Sequence, residues 1–188
     1  MRERKQKPVT RTRRIYVWQS LKIDMTRRIE VWRPVSSLTP AELKRAFMVA
    51  VVEGERKALI DVDEKLMEDL LTDVGLNALC GQAFDSSGSR PAVFNYCAIG
   101  TSSQTPANGD TALIAESMRV QGTYTKDGAT GECSMDATFN IVATLALQEC
   151  GLLNAASVGI IYCRDTYAVK NVVSGDTVKV YYTPKHQR

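Results

Sequence analysis

The chain has 188 residues, a hydrophobic fraction of 44% and a formal net charge of +3, enough for one ordinary domain with an appendage or for two small units. No apolar run nears the roughly 20 residues that span a bilayer. The longest, Phe47 to Val52, is stopped by Glu53 and Gly54, and no apolar stretch of the secretory-signal kind follows the basic start, so cytosolic synthesis without membrane association is expected. The charge is split: residues 1–33 hold 11 Lys/Arg and 3 Asp/Glu (+8), and the rest hold 13 and 18 (−5). Such asymmetry speaks about partners rather than fold.

In chain order, residues 1–35 read as an extended basic arm. Arg2, Arg4, Lys5, Lys7, Arg11, Arg13 and Arg14 cannot bury enough apolar surface to order themselves. Ile15 to Ile23 then carries Ile15, Val17, Leu21 and Ile23 on one strand face, and Ile29-Glu30-Val31-Trp32 is a second extended piece ending at Pro34. Tyr16, Trp18 and Trp32 in so basic a segment suggest packing on something. Residues 36–82 read as a helical segment. Thr39, Pro40 and Glu42 form an N-terminal signature, with Leu43, Phe47, Ala50 and Val51 on one helical face and weakening at Gly54. A second helix is expected from about Asp63 to Cys80, with Leu66, Leu70, Val74 and Ala78 in one stripe and Gly81 as its C′ residue.

Residues 83–188 read as a β domain. After the turn-rich Asp85–Pro91, strands are expected at 93–99, 115–124, 133–143, 145–150, 160–166, 167–173 and 177–183. They are punctuated by Pro106-Ala107-Asn108-Gly109-Asp110, Lys126-Asp127-Gly128, Asn154–Ser157 and Ser174-Gly175-Asp176. Short strands between Gly/Asn/Asp turns point to an antiparallel sandwich or barrel. The expected class is therefore mainly β with a helical N-terminal part: a sandwich of jelly-roll or immunoglobulin-like type, preceded by two helices and the arm.

Chemistry is sparse. The sole histidine, His186, has no nucleophile near it in sequence, and the chain lacks G-x-S-x-G, Walker A and G-x-G-x-x-G patterns. Five cysteines without a C-x-x-C pair read as small buried hydrophobes rather than a zinc site or disulfide framework. Gly109-Asp110 and Gly175-Asp176 read as turns, Glu116 with Arg119 as a structural ion pair, and Asp127-Gly128 lacks the calcium-loop spacing. No catalytic residue, metal or cofactor is expected. The basic arm, with Arg27, Arg28 and Trp32 counted among its contact residues, could neutralise phosphates or bind acidic surface on a neighbouring subunit. The second is favoured.

From about Leu71 onward the blocks Leu71–Asn77, Phe94–Ser102, Pro106–Leu113 with Glu116 and Arg119, Glu149–Ser157 and Val173–Tyr182 resemble virion structural proteins of tailed bacteriophages. The likeness falls on the turn residues Gly100, Pro106, Gly109, Asp110, Glu116, Arg119, Gly151, Asn154, Gly175 and Asp176. Cys150 and Leu153 replace commoner residues, and Val158 stands where a glycine is frequent. The resemblance implies a non-enzymatic accessory capsid protein, of decoration or cement type. A neck, tail or tail-fibre component and a DNA-contacting virion protein are the alternatives. It further implies a homo-oligomer, a trimer being one candidate, that contacts other virion proteins in a particle assembled in the host cytoplasm.

Overall fold

The computed structural model describes residues 22–67, 71–126 and 132–187. Strand β1 (Lys22–Pro34) pairs with the last strand, β10 (Thr177–Gln187), from Lys22 opposite Gln187 to Trp32 opposite Thr177. The other edge of β1 carries β3 (Glu55–Met67), which pairs in turn with β2 (Met48–Val52). Beyond β10 lie β7 (Cys133–Asn140) and β6 (Thr123–Lys126), giving a six-stranded sheet ordered β2-β3-β1-β10-β7-β6. A four-stranded sheet, β5-β4-β8-β9, is built from β4 (Tyr96–Gly100), β5 (Glu116–Gln121), β8 (Leu145–Leu153) and β9 (Ile161–Val172). Every pairing is antiparallel.

The two sheets form a sandwich because alternate residues of each strand share one apolar face. Ile29 and Val31 of β1, Val178, Val180 and Tyr182 of β10, and Ala137 and Phe139 of β7 meet Cys97, Ile99, Leu147, Cys150, Leu152, Cys163 and Tyr167 in one buried cluster. Cys97, Cys150 and Cys163 thus behave as the small hydrophobes expected, whereas Cys80 is exposed and Cys133 partly so; all five are free thiols. A satellite cluster of Trp32, Val52 and Leu59 lies apart from the main core.

The N-terminal third differs from the sequence expectation. Residues 22–34 are a central strand of the larger sheet rather than part of a free arm, and much of the expected helical segment is a β-hairpin. The first helix, α1 (Pro40–Arg45), begins as predicted, with a complete capping box between Thr39 and Glu42. It stops at Arg45, and Met48–Val52 runs as a strand. Glu53 and Gly54 (φ 52° and 77°) make the two-residue turn into β3, where successive positive φ angles match the twist of the flanking strands. A short apolar run fits both periods. β-branched Val49, Val51 and Val52 tip this one to the strand.

The second helix, α2 (Asp73–Phe84), starts ten residues later than expected, since Asp63–Met67 belongs to β3. Thr72 caps it, accepting a hydrogen bond from the Gly75 amide, and the hydroxyl also donates to the Ile161 carbonyl at 2.6 Å. Gly75 does not break the helix. A Cβ there would lie 2.7 Å from the Tyr162 backbone, so glycine lets α2 sit directly on β9. Gly81 is not the C′ residue: the helix runs on to Phe84, and Asp85 is its C-cap. In the β region the expected strands are present with two differences: 160–166 and 167–173 are joined as the single twelve-residue β9, and 115–124 is divided at Gly122 into β5 and β6, which lie in different sheets.

Candidate functional site

Glu149 on β8 gathers the irregular stretch that joins β4 to β5. It is fully buried, and its carboxylate accepts from the amides of Ala115 (2.7 Å), Ile114 (3.1 Å) and Ser102 (3.4 Å) and from Arg164 Nε (2.9 Å). Arg164, itself buried on β9, spends its remaining donors on Asp110 Oδ2 (3.0 Å) and the Gln104 carbonyl (2.8 Å). Asp110 closes the local turn by accepting from the Ala107 amide. The irregular stretch 101–115 is thereby pinned at both ends and its middle by one carboxylate–guanidinium pair. Gly100 makes this possible, because a Cβ there would sit 2.4 Å from the Ala115 carbonyl and 2.6 Å from Glu149 Oε1. The Asn108 carbonyl accepts from the Asp73 amide, which ties the same loop to the start of α2.

The other motif residues work the same way. Glu116 and Arg119 form a two-pronged ion pair (2.6 and 2.9 Å), and Arg119 also donates to the carbonyls of Ala155 and Val158. Asn154 Oδ1 accepts from the Ile160 amide and closes that loop. Gly151 lies against Leu113 and the Cys163 carbonyl with no room for a Cβ. Asp176 is buried, accepts from Arg33 through both oxygens (2.8 and 2.9 Å) and from the Val173 amide, and follows Gly175 at φ 93°. Pro106 is half-buried and Gly109 lies open to solvent. The structure brings Gly100, Asp110 and Gly151 together around Glu149 and Arg164, and leaves the Asp176 turn as a separate anchor.

Of the expected arm contacts, Arg2, Arg4, Lys5, Lys7, Arg11, Arg13, Arg14, Tyr16 and Trp18 lie outside the described residues. Arg27, Arg28 and Trp32 are corrected: they belong to β1 and are engaged within the chain. Arg27 is buried, donating to Asp165 (2.9 Å) and Asp63 (2.7 Å) and lying 5.1 Å from the centre of the Tyr167 ring. Burial opposes its charge, but the Cys150 sulfur and the Asp165 and Asp63 carboxylates outweigh this and raise its pKa. Lys170 reaches Asp61 at 2.8 Å beside this group, so charged side chains link β9, an edge of the smaller sheet, to β1 and β3 inside the larger one. Arg28 pairs with Glu30 and Glu64, and Trp32 Nε1 donates to Glu30.

Sequence reasoning missed Glu149 as an organiser and missed Arg164 and Asp165 altogether. The available signal was a charged pair inside the apolar run Ile160–Tyr167. Neighbouring strand residues point to opposite faces, so Arg164 serves the loop side and Asp165 the other sheet. It also missed the open edge of β2, where Phe47 and Val51 are 71% and 73% exposed. Among the described residues there is no group of three or more His, Cys, Asp or Glu placed to hold a metal ion, and no helix long and apolar enough to cross a membrane. No family model, curated protein or solved structure matches the chain.

Proposed function

We propose that the chain is an accessory structural protein of a tailed-phage virion, of capsid decoration or cement type, acting through contacts between subunits. The observation that carries this reading is how its motif residues are used. Glu149, Asp110, Glu116, Arg119, Asn154 and Asp176 all bond within the chain to fix loops, the first two through Arg164, while apolar side chains stand exposed along a sheet edge. A fold that locks its own loops and leaves a strand edge bare is suited to lattice contacts. Of the two sandwich types expected, the jelly-roll fits better, since the first and last described strands, β1 and β10, pair in the middle of one sheet.

The attachment segment is residues 1–21, with seven Lys/Arg against one Glu. The DNA-contacting alternative is weakened by Arg27, Arg28 and Arg33, whose charges meet carboxylates of their own chain. The test is binding of the full chain, and of a chain lacking residues 1–21, to DNA-free heads, together with the copy number in purified particles. The expected results are hundreds of copies and at least tenfold weaker binding on truncation. Absence from particles overturns the virion reading. Unchanged binding removes residues 1–21 as the attachment.

A further inference from the structure

We infer that β2 is the docking edge for residues 11–21 of a second copy of this chain, which add as an antiparallel strand; this rests on the reading of residues 1–21 as the attachment segment. Among the described residues, four strands lie at sheet edges: β2, β5, β6 and β9. The last three carry Arg or Lys, which discourages strand addition, but β2 reads Met-Val-Ala-Val-Val without a charge. Phe47, Val49 and Val51, at every second position, are 71%, 38% and 73% exposed, and thus form an apolar stripe on one face.

Residues 11–21 match this edge in pattern and charge. Ile15 and Val17 alternate with Tyr16 and Trp18, and Arg11, Arg13 and Arg14 precede them. An antiparallel register that sets Val17 opposite Val49 and Ile15 opposite Val51 brings Arg13 to Glu53, at the turn between β2 and β3. The parallel register would drive Arg13 against Lys44 and Arg45 at the end of α1. Opposite charges across a strand pair stabilise it and like charges oppose it.

The donor must be another copy. In this register Gln19 lies opposite Phe47, whose amide bonds to the Leu59 carbonyl, and Leu59 is paired with Trp32 of β1. Lys22 begins β1 at its opposite end, about 33 Å from Trp32 at the usual strand rise. The three residues from Gln19 to Lys22 reach about 11 Å at most. Each chain therefore gives one strand and accepts one, and repetition closes a dimer or a ring.

The test mixes two chains, Val17→Cys and Val49→Cys, each in a Cys80→Ser background because Cys80 is exposed, under mild oxidation. The expected product is a covalent heterodimer linked between positions 17 and 49, reduced at least tenfold when Val51→Lys is added to the acceptor. Yield no higher than from Val17→Cys mixed with a Gly109→Cys acceptor, which places the thiol in an exposed turn, overturns the inference. So does a 17–49 link forming within one chain of the double variant at high dilution. Failure of the cross-link while truncation still weakens head binding removes this docking site and keeps the virion reading. A cross-link in a chain absent from particles does the reverse.

Discussion

The loop held by Glu149 and the strand edge at β2 use opposite physics within one sandwich. Around Glu149 the polar groups are desolvated and paired: four donors converge on one carboxylate, and the guanidinium they include is bonded through all three nitrogens. Along β2 the side chains are apolar, Met48, Val49 and Val51 face solvent, and among the described residues no strand pairs with the outer backbone edge. A closed polar network specifies shape and offers little to a partner. A bare apolar edge contributes little to the fold and offers much to one. The molecule thus separates what keeps its loops in place from what is left for association.

The largest expected effect lies in the closed region. Glu149→Ala leaves Arg164 buried beside Asp110 alone, and the loss is about 3–5 kcal/mol, typical of breaking a buried pair. Urea denaturation would read it as a lower midpoint, and limited proteolysis as new cleavage within 101–115. Replacing Glu149 and Arg164 together by apolar residues is expected to recover part of the loss. If the single variant unfolds like the parent, the loop is held by something else.

Next comes alkaline pH. Burial pushes the Cys150 thiol up to about 12 and also raises Cys97, Cys163 and the phenols of Tyr167 and Tyr182. In the unfolded chain these thiols deprotonate near their ordinary value, about 8.5. Between there and about 12 the unfolded state binds fewer protons than the folded one, so stability falls as pH rises and is fully present below that window. Melting temperatures from pH 7 to 11 test this. A flat profile would mean the three core thiols are not held away from water.

A smaller gain is expected at Val158, a β-branched residue at φ 54° with its side chain 87% exposed. Left-handed backbone costs such a residue about 1–2 kcal/mol, part of which glycine returns as chain entropy. Val158→Gly should raise the melting temperature by about 2–4 °C, or about 1 kcal/mol for a chain of this size.

The smallest effect on stability falls at the open edge. Val51→Lys should stay within about 0.5 kcal/mol of the parent, yet lower self-association measured by sedimentation over a concentration series. A large destabilisation would make the edge part of the core and collapse the contrast between the two regions.

Local chemistry carried much of this architecture. Thr39, Pro40 and Glu42 announce α1, the Gly175-Asp176 turn separates β9 from β10, and the Gly/Asn/Asp punctuation marks out the β region, because caps and turns are satisfied by residues only a few positions apart. The motif glycines were legible as positions, but their reason was not. Gly100 is dictated by Glu149 and Gly75 by Tyr162, neighbours supplied by other elements.

What tertiary structure alone decided is where residues 22–67 go. The arginine-rich stretch before Pro34 has the charge of an arm, yet pairing with β3 and β10 makes it a central strand, and Asp165 and Asp63 compensate the buried Arg27. Asp63–Met67 fits a helical stripe when read alone and is a strand because β1 offers it a ladder of hydrogen bonds. Period and composition are properties of a segment. Strand order and charge pairing join residues from tens to more than a hundred positions apart, so they appear only when the chain is folded.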